Sequence, residues 1–222
     1  MKNNISETPK LLANNTVVRR EGNKFVGIPY TVEYKEEFEK IANEILEAAK
    51  YSTNEQFNNY LRLQAKALTS TDPEDDYNAD AAWVNLYDTP LEFTISRECY
   101  DDKFTGKILE DKELKEMLEK NNIEACSKDM LGIRVGIVER EETKKLQDYK
   151  NYLKPFSKTL PFADTYVQSV DVGELPKQTL VDVDLVHLSG DCRASRPGIT
   201  LAQNLPNSDK LASKRHAGNR NV

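Results

Sequence analysis

Two apolar stripes at helical spacing lie one after the other in the chain and limit what it can fold into. Tyr34, Phe38, Ile41, Ile45 and Leu46 form the first, with Glu and Lys in the gaps. Phe57, Tyr60, Leu61 and Leu68 form the second. Residues three and four apart share a helix face, so each stripe predicts an amphipathic helix with one side to bury. The short stretch between them leaves no room for another element, and the two helices are predicted to form an antiparallel hairpin. Thr53 and Gln56 match a capping box at the start of the second helix. A hairpin of this kind needs a third layer, which must come from the rest of the sequence.

That layer reads as strands. Residues 24–30 are short and apolar enough for a strand closed by Pro29. Residues 71–80 read as an acidic, turn-rich loop, and 82–96 as two strands around Asp88-Thr89-Pro90. A charged helix is predicted over 109–121, with Leu114, Met117 and Leu118 inward. A strand follows at 132–138, then a helix at 140–154 with Leu146, Tyr149 and Leu153 on one face, ended by Pro155. In 180–188, Val181, Val183 and Leu185 alternate with Asp182 and Asp184, the pattern of a half-buried strand. Residues 1–20 read as a flexible lead-in. Residues 190–222 show little periodicity, and a loop of specific character, Asn204-Leu205-Pro206-Asn207, lies close to the end, which predicts that the polypeptide continues. Helices and strands mix without a βαβ rhythm, so the expected class is α+β.

Bulk properties exclude several functions. The net charge of -6 disfavours sequence-independent binding to nucleic acid, which needs a basic face. The basic run from Lys210 to Arg220 reads as a solvated segment. No stretch approaches the ~20 apolar residues of a membrane span, and the polar, Asn-rich start has no apolar signal core. Cys99, Cys126 and Cys192 are an odd and sparse set, suited to reduced thiols, so a cytoplasmic location is expected.

The residues for self-contained catalysis are missing. The only histidines are His187 and His216, and neither sits in H-E-x-x-H. No metal site or other cofactor is therefore expected from this chain. Cys99 and His187 could pair as nucleophile and base, but with no supporting signature they read as a small thiol and a strand histidine. There is no G-x-S-x-G, no S-x-x-K and no glycine-rich phosphate loop.

Four blocks carry a resemblance. Gly27-Ile28-Pro29-Tyr30 precedes a Tyr/Glu/Lys helix. Tyr60-Leu-Arg-Leu-Gln-Ala-Lys-Ala-Leu68 leads to Asp80-Ala-Ala-Trp83-Val-Asn-Leu86. Leu91-Glu-Phe-Thr-Ile95 runs into Glu98-Cys-Tyr100-Asp-Asp. Gly190-Asp191 is followed by Asn204-Leu-Pro-Asn207. In this order they resemble the bacterial members of the dipeptidyl-peptidase III family, zinc exopeptidases that release dipeptides from the amino end of oligopeptides. The stretch Ile95-Ser96-Arg97-Glu98 departs from the family pattern, lacking its glycine, proline and first tyrosine.

The resemblance implies a helical hairpin plus a small mixed β-barrel lobe, the lower lobe of that family, with the second lobe incomplete. Residues 21–222 would be this peptide-binding lobe, with part of 107–165 open to assignment to the second. The family's zinc sits on an H-E-x-x-x-H helix that this sequence lacks, so the chain would be inactive alone and completed by a C-terminal catalytic half. Glu98 would meet the substrate's terminal ammonium by a charge-assisted hydrogen bond. Tyr100 would contact the transition state. Asn204 and Asn207 would pair with the peptide backbone. The expected partners are oligopeptides. The alternative is a stand-alone peptide-binding or protein-interaction module derived from that family.

Overall fold

The computed structural model describes residues 5–98, 103–123, 125, 128–163, 165, 180–189, 204–205 and 220–221. Helices and strands mix as an α+β fold. The predicted hairpin is present as α3 (Lys35–Ala48) and α4 (Glu55–Thr69). Asn54, rather than Thr53, caps α4: its side chain accepts from the Phe57 N–H at 3.0 Å, and its own N–H donates to the Ser52 hydroxyl. The apolar faces meet in one core. Ala42, Ile45 and Ala49 pack on Phe57, Tyr60, Leu61, Ala65 and Leu68, together with Trp83, Val84, Leu86 and Ile95.

The acidic segment is a helix, α5 (Pro73–Trp83), and not a loop. Asp72 caps it through the Glu74 N–H, Pro73 opens it, and Glu74, Asp75 and Asp76 place carboxylates in its first turn. Each feature suits the positive end of a helix. The first of the two strands expected in 82–96 is consequently absent. Val84 and Leu86 are buried in the turn that follows the helix, where their spacing of two mimics a strand. The chain then reverses at Asp88, which adopts the left-handed conformation at φ 48°.

Beyond this turn, β3 (Leu91–Glu98) and β4 (Met130–Val138) pair antiparallel, and β5 (Val183–Ser189) joins on the far side of β4. A bulge at Val135/Gly136 shifts the β4–β5 register. β1 (Thr16–Glu21) with β2 (Lys24–Pro29), and β6 (Asn204–Leu205) with β7 (Arg220–Asn221), form two separate ribbons. The strands therefore make small antiparallel sheets, and among the described residues no barrel closes. The helix expected over 109–121 is two, α6 (Lys103–Glu110) and α7 (Lys112–Lys120), parted at the capping residue Asp111. α8 (Arg140–Ser157) runs through Pro155. Of the residues expected on one face, Leu146 is half-buried, but Tyr149 and Leu153 are exposed. No helix among the described residues is long and apolar enough to cross a membrane.

Part of the expected lead-in is built into the fold. α1 (Thr8–Leu12) and β1 occupy it, Leu11 and Leu12 are buried, and Leu12 packs on Leu114 and Leu118 in a second small core. Lys128 explains the attachment. Its ammonium donates to the carbonyls of Leu11 and Ala13 at the end of α1 and to the Thr16 hydroxyl. A cation satisfying orphan carbonyls is favourable there by both hydrogen bonding and the helix dipole. The Asp129 N–H donates to Asn14 O, and the Tyr30 hydroxyl donates to Asp129 O at 3.0 Å.

Gly27 is required by the same packing. A Cβ built on it would lie 2.3 Å from the Lys10 carbonyl oxygen, so the backbone of α1 crosses β2 where a side chain would stand. Gly27→Ala is expected to cost about 1–3 kcal/mol, the usual penalty of overpacking. The urea midpoint checks it, and an unchanged midpoint contradicts the close approach.

Candidate functional site

The site is built where α4 meets β3. β3 is an edge strand of its described sheet, and an edge strand leaves backbone groups that need partners. Two come from α4. The Tyr60 hydroxyl donates to Phe93 O at 2.9 Å, and the Gln64 amide donates to Ile95 O at 2.9 Å. Tyr60 is 1% exposed and Gln64 7%, so both bonds are sheltered from water. On the same strand, buried Glu92 accepts from the Trp83 indole N–H at 2.6 Å. Three polar contacts thus fix β3 against α4 and α5 before it reaches Ser96 and Glu98.

A cavity of about 290 Å³ opens beside that end of the strand. Ile95, Ser96 and Leu131 form its strand side, Gln64, Leu68 and Ser70 its α4 side, and Asp72 and Asp76 the start of α5. Asn15, just before β1, and Tyr30 and Thr31 of the short helix α2 (Tyr30–Glu33), just after β2, close it. The lining mixes amides, hydroxyls and carboxylates with a few apolar side chains. A ligand with both donors and acceptors, such as a peptide backbone, can be matched on such a surface. Burial raises the Tyr30 phenol above its ordinary value, with Asp129 and Tyr34 adding to the effect, and its single O–H is already given to Asp129 O. At the rim, a hydrogen bond from Lys66, supported by Ser70, holds the Asp75 carboxyl below its usual range. The Lys66–Asp75 ion pair spans 2.7 Å and ties α4 to α5.

The residues picked from sequence fall differently on this frame. Glu98 is the last residue of β3, paired in register with Met130 and two residues beyond the cavity's Ser96. Asn204 lies in β6, opposite Asn221. Tyr100 and Asn207 lie outside the described residues. Nothing described brings Glu98 and Asn204 into one pairing, since they belong to different sheets. His187 sits on β5 with Nε2 3.1 Å from the Ser189 hydroxyl; Cys99 lies outside the described residues. Among those residues, no three His, Cys, Asp or Glu side chains form a group that could hold a metal.

Sequence reasoning missed Gln64, Ser70 and Asp72. One signal was present: Gln64 is a polar residue one turn after Tyr60, on a helix face that otherwise carries Leu61 and Leu68. An amide at a core position must have a backbone to satisfy. Gln64→Leu is expected to cost about 1–3 kcal/mol, because Ile95 O would lose a buried donor. Urea unfolding of the variant checks this, and a loss within measurement error contradicts the role.

No family model and no curated protein matches the sequence. Solved structures do. DPP III from Caldithrix abyssi covers 100% of the chain at 26% identity, with a TM-score of 0.67. Dipeptidyl-peptidase III from Corallococcus sp. strain EGB covers 98% at 22% identity, with a TM-score of 0.58, a likeness of fold. The chain spans 37% and 35% of the lengths of those two proteins.

Proposed function

Starting from a chain that is dipeptidyl-peptidase III-like along its whole length, we propose that it grips the amino-terminal end of oligopeptides, as the substrate-binding part of a zinc-dependent dipeptidyl peptidase. The observation that carries this reading is the 26% identity with DPP III from Caldithrix abyssi across the entire chain. The polar cavity at the end of β3 supports it, because it adjoins the strand that ends in Glu98.

In this reading each residue has a chemical task. The Glu98 carboxylate takes the peptide's terminal ammonium, a charge-assisted contact that is stronger than a neutral hydrogen bond. Asn204 and Asn207 offer both a donor and an acceptor to the peptide backbone, which explains recognition with little dependence on side chains. Tyr100 donates its phenolic O–H toward the scissile carbonyl region.

No side chains among the described residues fit zinc. The chain's two histidines share no helical motif, and the described residues contain no metal-holding group. A zinc ion would be held by a polypeptide supplied from outside the 222 residues, so this chain's own contribution is to bind and orient the peptide.

Isothermal titration with unlabelled hexapeptides tests the reading. Glu98→Ala and Asn207→Ala are each expected to weaken binding about tenfold, a difference of ~1.4 kcal/mol. Acetylating the peptide's amino terminus should weaken binding to the unmodified chain by a similar factor and add little in Glu98→Ala, because both changes remove the same contact. Full affinity in both variants overturns the assignment.

A further inference from the structure

The molecule has a second and larger concavity, which shares Ile95 with the first. It encloses about 630 Å³ between α3 and the β3–β4 strands. Ile41 and Ala48 line it from α3, Phe57 from the start of α4, and Leu91, Phe93 and Val135 from the sheet. α4 covers only part of that sheet face, through Tyr60 and Gln64. The remainder is open: Leu91 is exposed, and Ile137, two residues along β4 from Val135, is 49% exposed; Ala48, across the groove on α3, is exposed as well. An apolar sheet face in an α+β fold is normally covered by a helix layer, and an open patch of this character marks a contact surface.

Its rim carries exposed charge. Lys40 and Glu44 stand one turn apart on α3 at the groove's mouth, and among the described residues neither is in an ion pair. A helix laid along the groove, with an acid and a base one turn apart beside its apolar stripe, would match both charges while filling the interior. The whole of this chain corresponds to only 37% of DPP III from Caldithrix abyssi, so most of that polypeptide lies outside the shared part. We infer that the groove between α3 and the β3–β4 strands receives an amphipathic helix from the portion of a dipeptidyl-peptidase III-like polypeptide that this chain does not cover. The inference rests on the family reading above and names the surface through which that portion docks.

The test co-expresses this chain with the uncovered portion of the Caldithrix abyssi protein and measures complex formation by size-exclusion chromatography and titration. Anilinonaphthalene sulfonate, added to the chain alone, reports the open groove. The expected result is dye fluorescence from the chain alone, loss of that fluorescence in the complex, and at least about tenfold weaker association for Ala48→Glu. Ala48 is exposed and Glu is a good helix former, so this variant should fold, as far-ultraviolet circular dichroism will show. Asn43→Glu, an exposed position on α3 away from the groove, should associate normally. Association unchanged by Ala48→Glu overturns the inference. So does dye fluorescence that vanishes as the chain alone is concentrated, which assigns the groove to a second copy. Failure of the complex to form, with peptide binding intact, overturns the docking surface and leaves the peptide-binding reading standing. A complex that forms while peptides do not bind does the reverse.

Discussion

The edge of β3 is the constraint on which the arrangement depends. An edge strand offers carbonyls that water would otherwise solvate, and this one presents two of them to the interior of a helix–sheet interface. Tyr60 and Gln64 satisfy both from one face of α4. The same face carries Phe57, Leu61 and Leu68 into the core, so hydrogen bonding and apolar burial set a single orientation of the hairpin over the strand. Neutral bonds of this kind contribute only about 0.5–1.5 kcal/mol each, but leaving their buried partners unmet would cost more. Their larger effect is on register: shifting β3 by one residue would break both bonds and turn Ile95 out of the core.

The functional reading depends on that register. Ser96 lines the polar cavity and Glu98 closes the strand only because Phe93 and Ile95 are fixed behind them. The other walls come from far along the sequence. Lys128 holds the end of α1, and Tyr30 bonds to Asp129, so the N-terminal ribbon stands beside the start of β4. The cavity is therefore a junction of three segments, none of which could form it alone. The apolar groove between α3 and the β3–β4 strands is lined mostly by aliphatic and aromatic side chains, which makes the two concavities chemically distinct.

Much of the architecture was legible in the sequence for a simple reason: strongly periodic apolar stripes report their own burial. The hairpin, β2, β4 and the helix that became α8 all announced themselves this way. Charge concealed the rest. α5 has few apolar residues, so its period was hidden although Asp72 and Pro73 marked its start. Val84 and Leu86 imitated a strand because alternate burial also occurs in a tight turn. The outward aromatic face of α8 could not be told from an inward one, since periodicity gives a stripe and not its partner. At the site, sequence blocks pointed to Glu98, Tyr100, Asn204 and Asn207 by resemblance alone. Gln64, Ser70 and Asp72 needed the tertiary junction to be seen together, because they approach Ser96 from a separate helix and a helix start.

Hydrogen–deuterium exchange of the whole chain, with and without a saturating oligopeptide, tests the central claim most directly. The account predicts slowed exchange in β3 near Ser96 and Glu98, at the α4–α5 junction around Ser70 to Asp76, and across 204–207, with no change along the outer face of α3. Protection confined to other elements, or none at all at a peptide concentration that titration shows to be saturating, would contradict it.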